Sequence, residues 1–598
     1  MKGRKKLTTG GLKMRRNYVL RPEVRIHSDE RALCGYAAAV EVVKASLSKV
    51  DKAEGPVVLV VECYPGTRID EVRSGLIDPL APSLAIFADD YAQTTERVQE
   101  RISDHITDDR VFGVMSHYTI DQFYDEDQVK AAREKVGDAE GLVVVYGFGT
   151  TVLCEPDVIV YSSITRWEAQ LRYRAGARNW KCNNADEESL RKFKRGYFFE
   201  WRMADRQKRA LSDRIDFLMD TVEAGNPHMV SGAGWRRALG QVAHQPFRMV
   251  PYFDASVWGG HWMQERFGLD PEAPNYGWSF DGVPEENSVI LDFNGVGVEV
   301  PAQDVVSSNP EALLGARVHS RFGTDFPIRF DYLDTMGGGN LSLQVHSLTE
   351  YIQDRFGMAY TQDESYYILD STDESCVYLG VKTGVEKDDL VDALSRAAEG
   401  GYRFPDEEFV NRSPVKKHDH VHIPAGTIHC GGAGTVILEI SATPYIFTFK
   451  LWDWGRVGLD GKPRPIHIGH GAPNIRMDRD TECVNERLID RADAPHEDLS
   501  TEPGVRVERT GLDEVEFIET RRYWFRESAT LESFGSVNEL NLIEGEAAVV
   551  ESLDGSFDPL EVHYGETFIV PESVGSYRIR NIGDADGEIA VIQAFVRS

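Results

Sequence analysis

Two side chains of types that can bind a metal ion stand two residues apart, in a segment whose apolar and polar residues alternate as in a β-strand. Gln344 and His346 therefore point to the same face of the predicted strand. Glu364 enters another predicted strand, and His429 follows a Pro-Ala-Gly-Thr-Ile turn. A Gln–His pair alone is more often a hydrogen-bonded feature of a core, but the other two residues favour a metal. Two imidazoles, one carboxylate and one amide oxygen predict a site for one zinc ion, with manganese, iron or cobalt as alternatives.

Short strands separated by frequent turns surround these residues. Such a pattern predicts an all-β sandwich or barrel. A helical insertion is predicted at 385–412, and the metal-binding part extends over 246–470. Short strands return in 513–598, which hold one histidine, so a second β domain without a metal site is expected over 471–598. The predicted strands are 288–293, 296–300, 328–333, 341–346, 365–369, 375–379, 420–423, 435–440 and 446–451.

The first part of the chain has a different pattern. Apolar runs at 56–63, 141–149 and 157–161 read as buried strands, and 92–137 has a helical pattern. Strands that alternate with helices predict an α/β domain over 17–245. This part resembles a nucleotide-kinase scaffold, but it has no phosphate-binding GxxxxGK[ST] loop, so we do not expect ATP chemistry. The basic residues 1–16 are expected to form a disordered tail.

Arginine is concentrated in the segment 166–209, which holds thirteen basic residues against six acids. One interpretation is a helical face that is salt-bridged to acidic neighbours. The other interpretation is an anion site for a phosphorylated metabolite, because the guanidinium group of arginine can bind a phosphate with two parallel hydrogen bonds. The residues concerned are Arg166, Arg172, Arg174, Arg195, Arg202 and Arg206.

The composition excludes several classes of protein. The 598 residues carry a formal charge of −31, which disfavours a nucleic acid as partner. No run of about 18 apolar residues is present, so no membrane span is expected. Seven scattered cysteines without a CxxC pair indicate a reducing, cytoplasmic location. The expected partner is a small-molecule sugar or sugar phosphate, and a homo-oligomer is a further possibility.

Over roughly 250–598 the chain resembles the class I mannose-6-phosphate isomerases. The order and spacing of its motifs carry this resemblance, together with the insertion before the Pro-Ala-Gly-Thr-x-His turn. The resemblance implies tandem cupin (jelly-roll) sandwiches with a helical insertion and one catalytic zinc, so the chain would be a long variant with an added N-terminal domain. The motifs are 341–346, 364–369, 377–382, 423–429, 438–440, 453–456 and 460–464.

The resemblance also implies roles for individual residues. The four zinc ligands of the family fall on Gln344, His346, Glu364 and His429. The expected reaction converts mannose 6-phosphate to fructose 6-phosphate through an enediol. The catalytic candidates are Glu439, as base or holder of a sugar hydroxyl, and the basic residues Lys450 and Arg456, where Lys450 replaces the usual arginine.

Two positions depart from the family. Asp331 and Gln362 stand where the family commonly has lysines, one of which contacts the sugar phosphate. An aspartate beside a phosphate would be repulsive, and Arg329 or Lys382 could compensate. With Ser342, these two residues are the candidate substrate contacts. Two alternatives therefore stay open: an isomerase of another sugar, and a sugar sensor without catalytic activity.

Overall fold

A computed structural model describes residues 17–52, 55–442, 446–511, 516–584 and 587–597. The predicted basic tail 1–16 lies outside these residues. The seven cysteines all belong to the described segments and form no disulfide bond. Within the described part of the chain, no helix is both long and apolar enough to cross a lipid bilayer.

A seven-stranded sheet, here called the N-terminal sheet, organises the first 240 or so residues. Five neighbouring strands are parallel, and two further strands are added at one edge by antiparallel pairing. The predicted apolar runs form three of its inner strands. In order across the sheet, the strands are Leu33–Cys34, His228–Ser231, Phe217–Asp220, Val158–Ser163, Val57–Cys63, Leu142–Gly147 and Leu84–Phe87.

These inner strands are continuously apolar because the sheet is covered on both faces. Val58 and Val60 belong to one hydrophobic cluster, whereas Leu59 and Val61 on the same strand belong to another. Successive side chains of a strand point to opposite faces, so a strand that is buried on both faces needs apolar residues throughout.

Helices and helical turns connect these strands and cover the sheet. They are Gly35–Leu47, Ile69–Val72, Arg73–Ile77, Asp78–Leu80, Ala88–Asp90, Thr95–Arg101, Ser103–Ile106, Ile120–Phe123, Glu126–Gly137, Thr150–Val152, Arg166–Arg174, Ser189–Arg195, Gly196–Glu200, Trp201–Leu211, Ser212–Arg214 and Gly232–Val242. The predicted helical stretch 92–137 is thus interrupted at 107–119, where the chain leaves the helices and contacts the next part of the protein.

Two antiparallel sheets, here called the central sandwich, follow. Side chains from the two sheets meet between them, since His346 of one sheet contacts Glu364 of the other. The larger sheet contains Ile489–Asp490, His420–Ile423, Glu364–Ser371, Thr435–Ala442, Ile328–Asp334, Trp278–Gly282 and Tyr252–Asp254. The smaller sheet contains Val410–Pro414, Cys376–Val381, His429–Gly431, Leu343–His346 and Thr448–Trp452.

Two predicted strands lie outside this sandwich. Ser288–Asp292 and Gly297–Pro301 form a separate three-stranded sheet with Glu23–Arg25, which pairs in parallel with the first of them. The pairing joins residues that are far apart in sequence, and local alternation cannot reveal it. It also crosses the expected boundary near residue 245.

The predicted insertion 385–412 is helical only in part. Lys387–Glu399 is a full helix and Asp406–Phe409 a short one, but Val410–Pro414 is a strand that pairs with Cys376–Val381. The other helices and turns after residue 245 are Trp262–Arg266, Gln303–Ser308, Pro310–Leu314, Ala316–Phe322, Thr349–Phe356, Ile468–Asn474, Thr481–Cys483, Val484–Leu488 and Glu572–Val574.

The last hundred or so residues form two further antiparallel sheets around a core of their own, here called the C-terminal sandwich. The segment 562–570 contributes to two strands rather than one. A turn at Gly565, whose φ is +80°, divides it between the two sheets. One sheet contains Val505–Thr510, Ile518–Phe525, Ile589–Val596, Asn538–Glu544 and Thr567–Val570, and the other Ser528–Glu532, Ser576–Asn581, Ala547–Ser552 and Leu560–His563.

Aromatic packing joins the N-terminal part to the central sandwich. Phe112 lies in the interruption at 107–119 and is 1% exposed. Its ring lies 5.2 Å from that of Phe449 and 4.6 Å from that of His467. One hydrophobic cluster therefore continues from the N-terminal sheet into the central sandwich.

We expect Phe112→Ala to loosen this junction. Truncating a buried phenylalanine costs about 3–5 kcal/mol, so the melting temperature should fall clearly in differential scanning calorimetry. Leu553, which is 47% exposed, provides the control. Leu553→Ala should leave the melting temperature almost unchanged, and an equally small effect of Phe112→Ala would contradict the role assigned to this contact.

Candidate active site

The four predicted metal ligands come from both sheets of the central sandwich. Gln344 and His346 lie on Leu343–His346, and His429 begins the neighbouring strand, where it is the direct partner of Gln344. Glu364 begins a strand of the opposite sheet. Alternation along one strand and its pairing with the next therefore place Gln344, His346 and His429 on one inner face. Glu364 lies opposite them, on the other sheet.

The side chains of these four residues lie close together. His346 Nε2 lies 2.5 Å from Glu364 Oε2, and His429 Nε2 lies 3.4 Å from Glu364 Oε1. The ligand atoms of the three residues lie within 4.8 Å of one another. The Gln344 amide nitrogen is 3.2 Å from His429 Nε2, and rotation of the amide by half a turn would present its oxygen instead.

The protonation of these groups fits a divalent cation. His429 Nδ1 is 2.9 Å from the Thr427 carbonyl oxygen. If Nδ1 donates that hydrogen bond, the lone pair of Nε2 is left for a metal. Burial lowers the pKa of His346, and the two histidines hold the pKa of Glu364 below its usual range despite its burial. Neutral imidazoles and an ionised carboxylate are the forms that bind metals.

A buried network of charged groups adjoins the candidate ligands. Arg329 contacts Glu439 and lies 3.2 Å from Asp331. Gln362 Nε2 donates to Glu364 at 3.1 Å and to Glu439 at 3.3 Å. The two positions without the family's lysines therefore belong to one hydrogen-bonded network in which Arg329 supplies the positive charge.

The carboxyl group of Glu439 is at the centre of this network. Ser441 Oγ donates to its Oε1 at 3.0 Å. Burial and the nearby Glu364 raise the pKa of Glu439 to about 7, although Arg329 acts in the opposite direction. A carboxyl group with a pKa near neutrality is suited to take up and return a proton.

A cavity of about 820 Å³ opens beside this network. Five of the predicted site residues line it: Ser342, Gln344, Arg329, Glu439 and Lys450. His346, Glu364 and His429 do not line the cavity and are at most 1% exposed, so they lie behind its wall. Gln344 is both a candidate ligand and part of the lining, so the candidate metal site lies directly beside the cavity.

Two predicted residues are placed elsewhere. Lys382 is exposed and donates to the Glu407 carbonyl oxygen, and it does not line the cavity. Arg456 forms an ion pair with Asp453 and does not line the cavity either. Arg464, which binds the same aspartate at 2.6 Å, does line it. In this part of the chain, Arg464 rather than the predicted Arg456 therefore lines the cavity.

The first part of the chain supplies lining residues that were not predicted. They are Arg110, Val111, Arg174 and residues 186–190. Arg174 belongs to the arginine-rich segment, but no local pattern distinguishes Arg110. The aromatic residues Trp258, Trp278 and Phe280 also line the cavity. Such a wall can only be found once the fold brings distant segments together.

The arginine-rich segment itself is mainly structural. Arg166 binds Asp205 at 2.5 Å, and Arg195 binds Glu200 at 2.9 Å. Arg206 differs, because it donates to backbone carbonyl oxygens. These contacts favour the interpretation of a salt-bridged helical face. Further ion pairs of these arginines are Arg166–Glu285, Arg172–Glu168, Arg174–Asp254 and Arg202–Glu285.

Comparison with curated proteins identifies relatives of the chain. The mannose-6-phosphate isomerase of Streptococcus mutans is 26% identical over 226 residues, which are 38% of this chain and 66% of that protein. The mannose-6-phosphate isomerase ManA of Bacillus subtilis is 23% identical over 342 residues, which are 57% of this chain and 97% of that protein. Over more than half its length, the chain is related to mannose-6-phosphate isomerases. The resemblance read from the motifs is thereby confirmed.

Further comparisons concern the rest of the chain and the solved structures. A domain of unknown function, DUF8485, matches residues 35–244. The mannose 6-phosphate isomerase structure from Bacillus subtilis aligns with a TM-score of 0.46 and 18% identity, covering 58% of this chain and 99% of that one. A phosphomannose isomerase from Salmonella typhimurium aligns with a TM-score of 0.43 and 14% identity, covering 59% and 100%. The stretch of 342 residues that is related to ManA is about as long as the part of the chain that follows the DUF8485 region.

Proposed function

We propose that this protein is a metal-dependent aldose–ketose isomerase that converts mannose 6-phosphate to fructose 6-phosphate. One observation carries the proposal: the His346–Glu364–His429 cluster lies beside a large cavity that is lined by Gln344, Glu439 and Lys450. We further propose that the central and C-terminal sandwiches are tandem cupins, that the preceding part is an added α/β domain, and that the protein acts in the cytoplasm.

Gln344, His346, Glu364 and His429 would hold the metal, most simply zinc, since their donor set is two imidazoles, a carboxylate and an amide. When bound, the ion stabilises the negative charge that develops on the sugar oxygens. Burial between the two sheets keeps water away from these side chains and holds them in place.

The chemical step moves a proton between C1 and C2 of the sugar through an enediol. Glu439 would take the proton from one carbon and return it to the other, for which a pKa of about 7 is suitable. Arg329 holds the carboxyl group by its contact with Oε1. Ser342 and Lys450 line the cavity, where they can contact sugar or phosphate oxygens.

The replacement of two family lysines by Asp331 and Gln362 favours a second candidate, an isomerase for a different sugar. Both residues are buried in the network around Glu439. A binding protein that senses sugar without converting it is the remaining candidate, and turnover distinguishes it from both enzymes.

A coupled assay with hexoses and hexose phosphates tests the proposal. We expect mannose 6-phosphate to be converted, activity to disappear when a chelator removes the metal, and zinc to restore it. Full activity after verified removal of the metal would overturn the mechanism. Tight sugar binding by the metal-loaded protein without any turnover would favour the sensor, and turnover of another hexose alone would favour the second candidate.

A further inference from the structure

One wall of the cavity comes from the region that matches DUF8485. Arg110, Arg174 and residues 186–190 belong to this region, and all of them line the same cavity as Gln344 and Glu439. The relationship to the isomerases does not account for this wall, because the stretch related to them is about as long as the part of the chain that follows the DUF8485 region. The wall therefore calls for a function of its own.

Three cations that line the cavity lie close enough to influence one another and are here called the basic corner: Arg110, Lys450 and Arg464. Arg110 Nη1 donates to the carbonyl oxygen of Pro463 at 3.0 Å, directly beside Arg464. Lys450 lies opposite Gln344 on the neighbouring strand. The basic corner thus lies beside the candidate metal site, and it includes one residue, Arg110, from the N-terminal part of the chain.

The charges of the basic corner are incompletely balanced. Glu188 pairs with Arg110, and Asp453 pairs with Arg464. Within the described residues, no carboxylate forms an ion pair with Lys450. An anion bound here would relieve the repulsion among the three cations.

We propose that the basic corner binds the phosphate group of the sugar substrate and that Arg110 supplies one of the phosphate's ligands from outside the isomerase-like part. The inference rests on the proposed function. Arg110 uses one N–H on each of its nitrogens for Glu188 and Pro463. Two of its five N–H groups remain, which is the number that a bidentate phosphate contact requires.

This assignment gives the N-terminal part a role in substrate specificity. In a chain without the family's lysines at positions 331 and 362, part of the positive charge for the phosphate would come from Arg110. Glu188 would neutralise Arg110 while the site is empty and compete with the phosphate during binding. A ligand role and a purely structural role of the Arg110–Glu188 pair then predict opposite effects of removing the carboxylate.

Calorimetric titration of the full-length, metal-loaded protein with inorganic phosphate, mannose 6-phosphate and mannose tests the proposal. We expect Arg110→Ala to weaken the binding of both phosphate compounds by roughly tenfold to a hundredfold, the range of a charge-assisted hydrogen bond. The affinity for mannose should stay the same. Glu188→Gln should leave phosphate binding unchanged or strengthen it several-fold, because it removes a competing negative charge.

The control is Arg97→Ala, which breaks the Arg97–Asp125 pair elsewhere in the N-terminal part. It should change none of the three affinities. The inference is overturned if the unmodified protein binds neither phosphate compound or if Arg110→Ala has no effect. It is also overturned if Arg110→Ala and Glu188→Gln weaken binding equally, because the pair would then only hold the wall in place.

Failure of the inference can be distinguished from failure of the proposed function. If mannose 6-phosphate binds in an Arg110-dependent manner but is not converted, the isomerase proposal fails and the basic corner remains. If mannose 6-phosphate is converted and its KM does not depend on Arg110, the inference alone fails.

Discussion

Replacing His429 with alanine is expected to release the metal and to lower kcat/KM by at least about a thousandfold, since an ion of this kind supplies several kcal/mol of charge stabilisation in the transition state. His429 is fully buried, and its Nε2 lies 3.4 Å from Glu364. The variant loses one of two imidazoles and leaves the Glu364 carboxylate with one histidine partner. The metal content of the purified variant, measured by mass spectrometry, and its activity should fall together.

A second buried histidine controls for general damage to the fold. His420 contacts Ser365 and Thr510 at 3.0 Å each and is not a member of the metal cluster. His420→Gln should lower the melting temperature while the metal content and kcat/KM stay close to those of the unmodified protein. If His429→Ala keeps its metal and its activity, the assignment of the site is wrong.

The change of Glu439 to glutamine is expected to lower kcat by about a hundredfold to ten-thousandfold, the contribution of a general base. The metal content should not change, because Glu439 is not one of the four candidate ligands. The amide retains the shape of the side chain and can still accept hydrogen bonds from Ser441 and Arg329, but it cannot take up a proton from the sugar. Steady-state kinetics with mannose 6-phosphate, combined with metal analysis, measure both quantities.

Glu539 offers a matched control for Glu439. It is also fully buried, and burial raises the pKa of its carboxyl group well above the usual value. A glutamine closely resembles such a protonated carboxyl group, so Glu539→Gln should change neither kcat nor metal content. If Glu439→Gln behaves like this control, Glu439 is not the base, and a role in holding a sugar hydroxyl would appear as a change in KM.

The network around Glu439 explains how the cavity can lack the two family lysines. Arg329 contacts the carboxyl groups of both Asp331 and Glu439. One buried guanidinium thus balances carboxylates that would otherwise repel each other and an anionic substrate. Arg329 is occupied in this way, whereas the cations of the basic corner line the same cavity and can contact a phosphate.

Local sequence patterns were sufficient for the candidate ligands and for the main strands. Alternation placed Gln344 and His346 on one face, and the structure brings them together with Glu364 and His429. Alternation is informative there because a strand has a fixed period of two, so a residue's face follows from its position. The apolar inner strands of the N-terminal sheet were recognisable for a related reason, since burial on both faces excludes polar residues.

Other features could not be read from local patterns. Arg456 matches a family motif, yet Arg464 is the arginine that lines the cavity. The chain turns back between Val457 and Pro463, which pair with each other, and both arginines bind Asp453. The interruption at 107–119 carries Arg110 and Phe112, whose contacts with Pro463 and Phe449 join residues more than 200 positions apart in the chain. No periodicity encodes such contacts.

The amino-acid sequence by itself indicated a set of candidate metal ligands, most of the strands, and the enzymes to which more than half of the chain is related. Only the tertiary structure decided what surrounds the metal cluster: a cavity with walls from both parts of the chain, a carboxyl group held by Arg329, and a basic corner that includes Arg110. The physical reason is the range of the interactions. Alternation and turns act over a few residues, whereas the walls of a cavity are set by packing between segments that are distant in sequence.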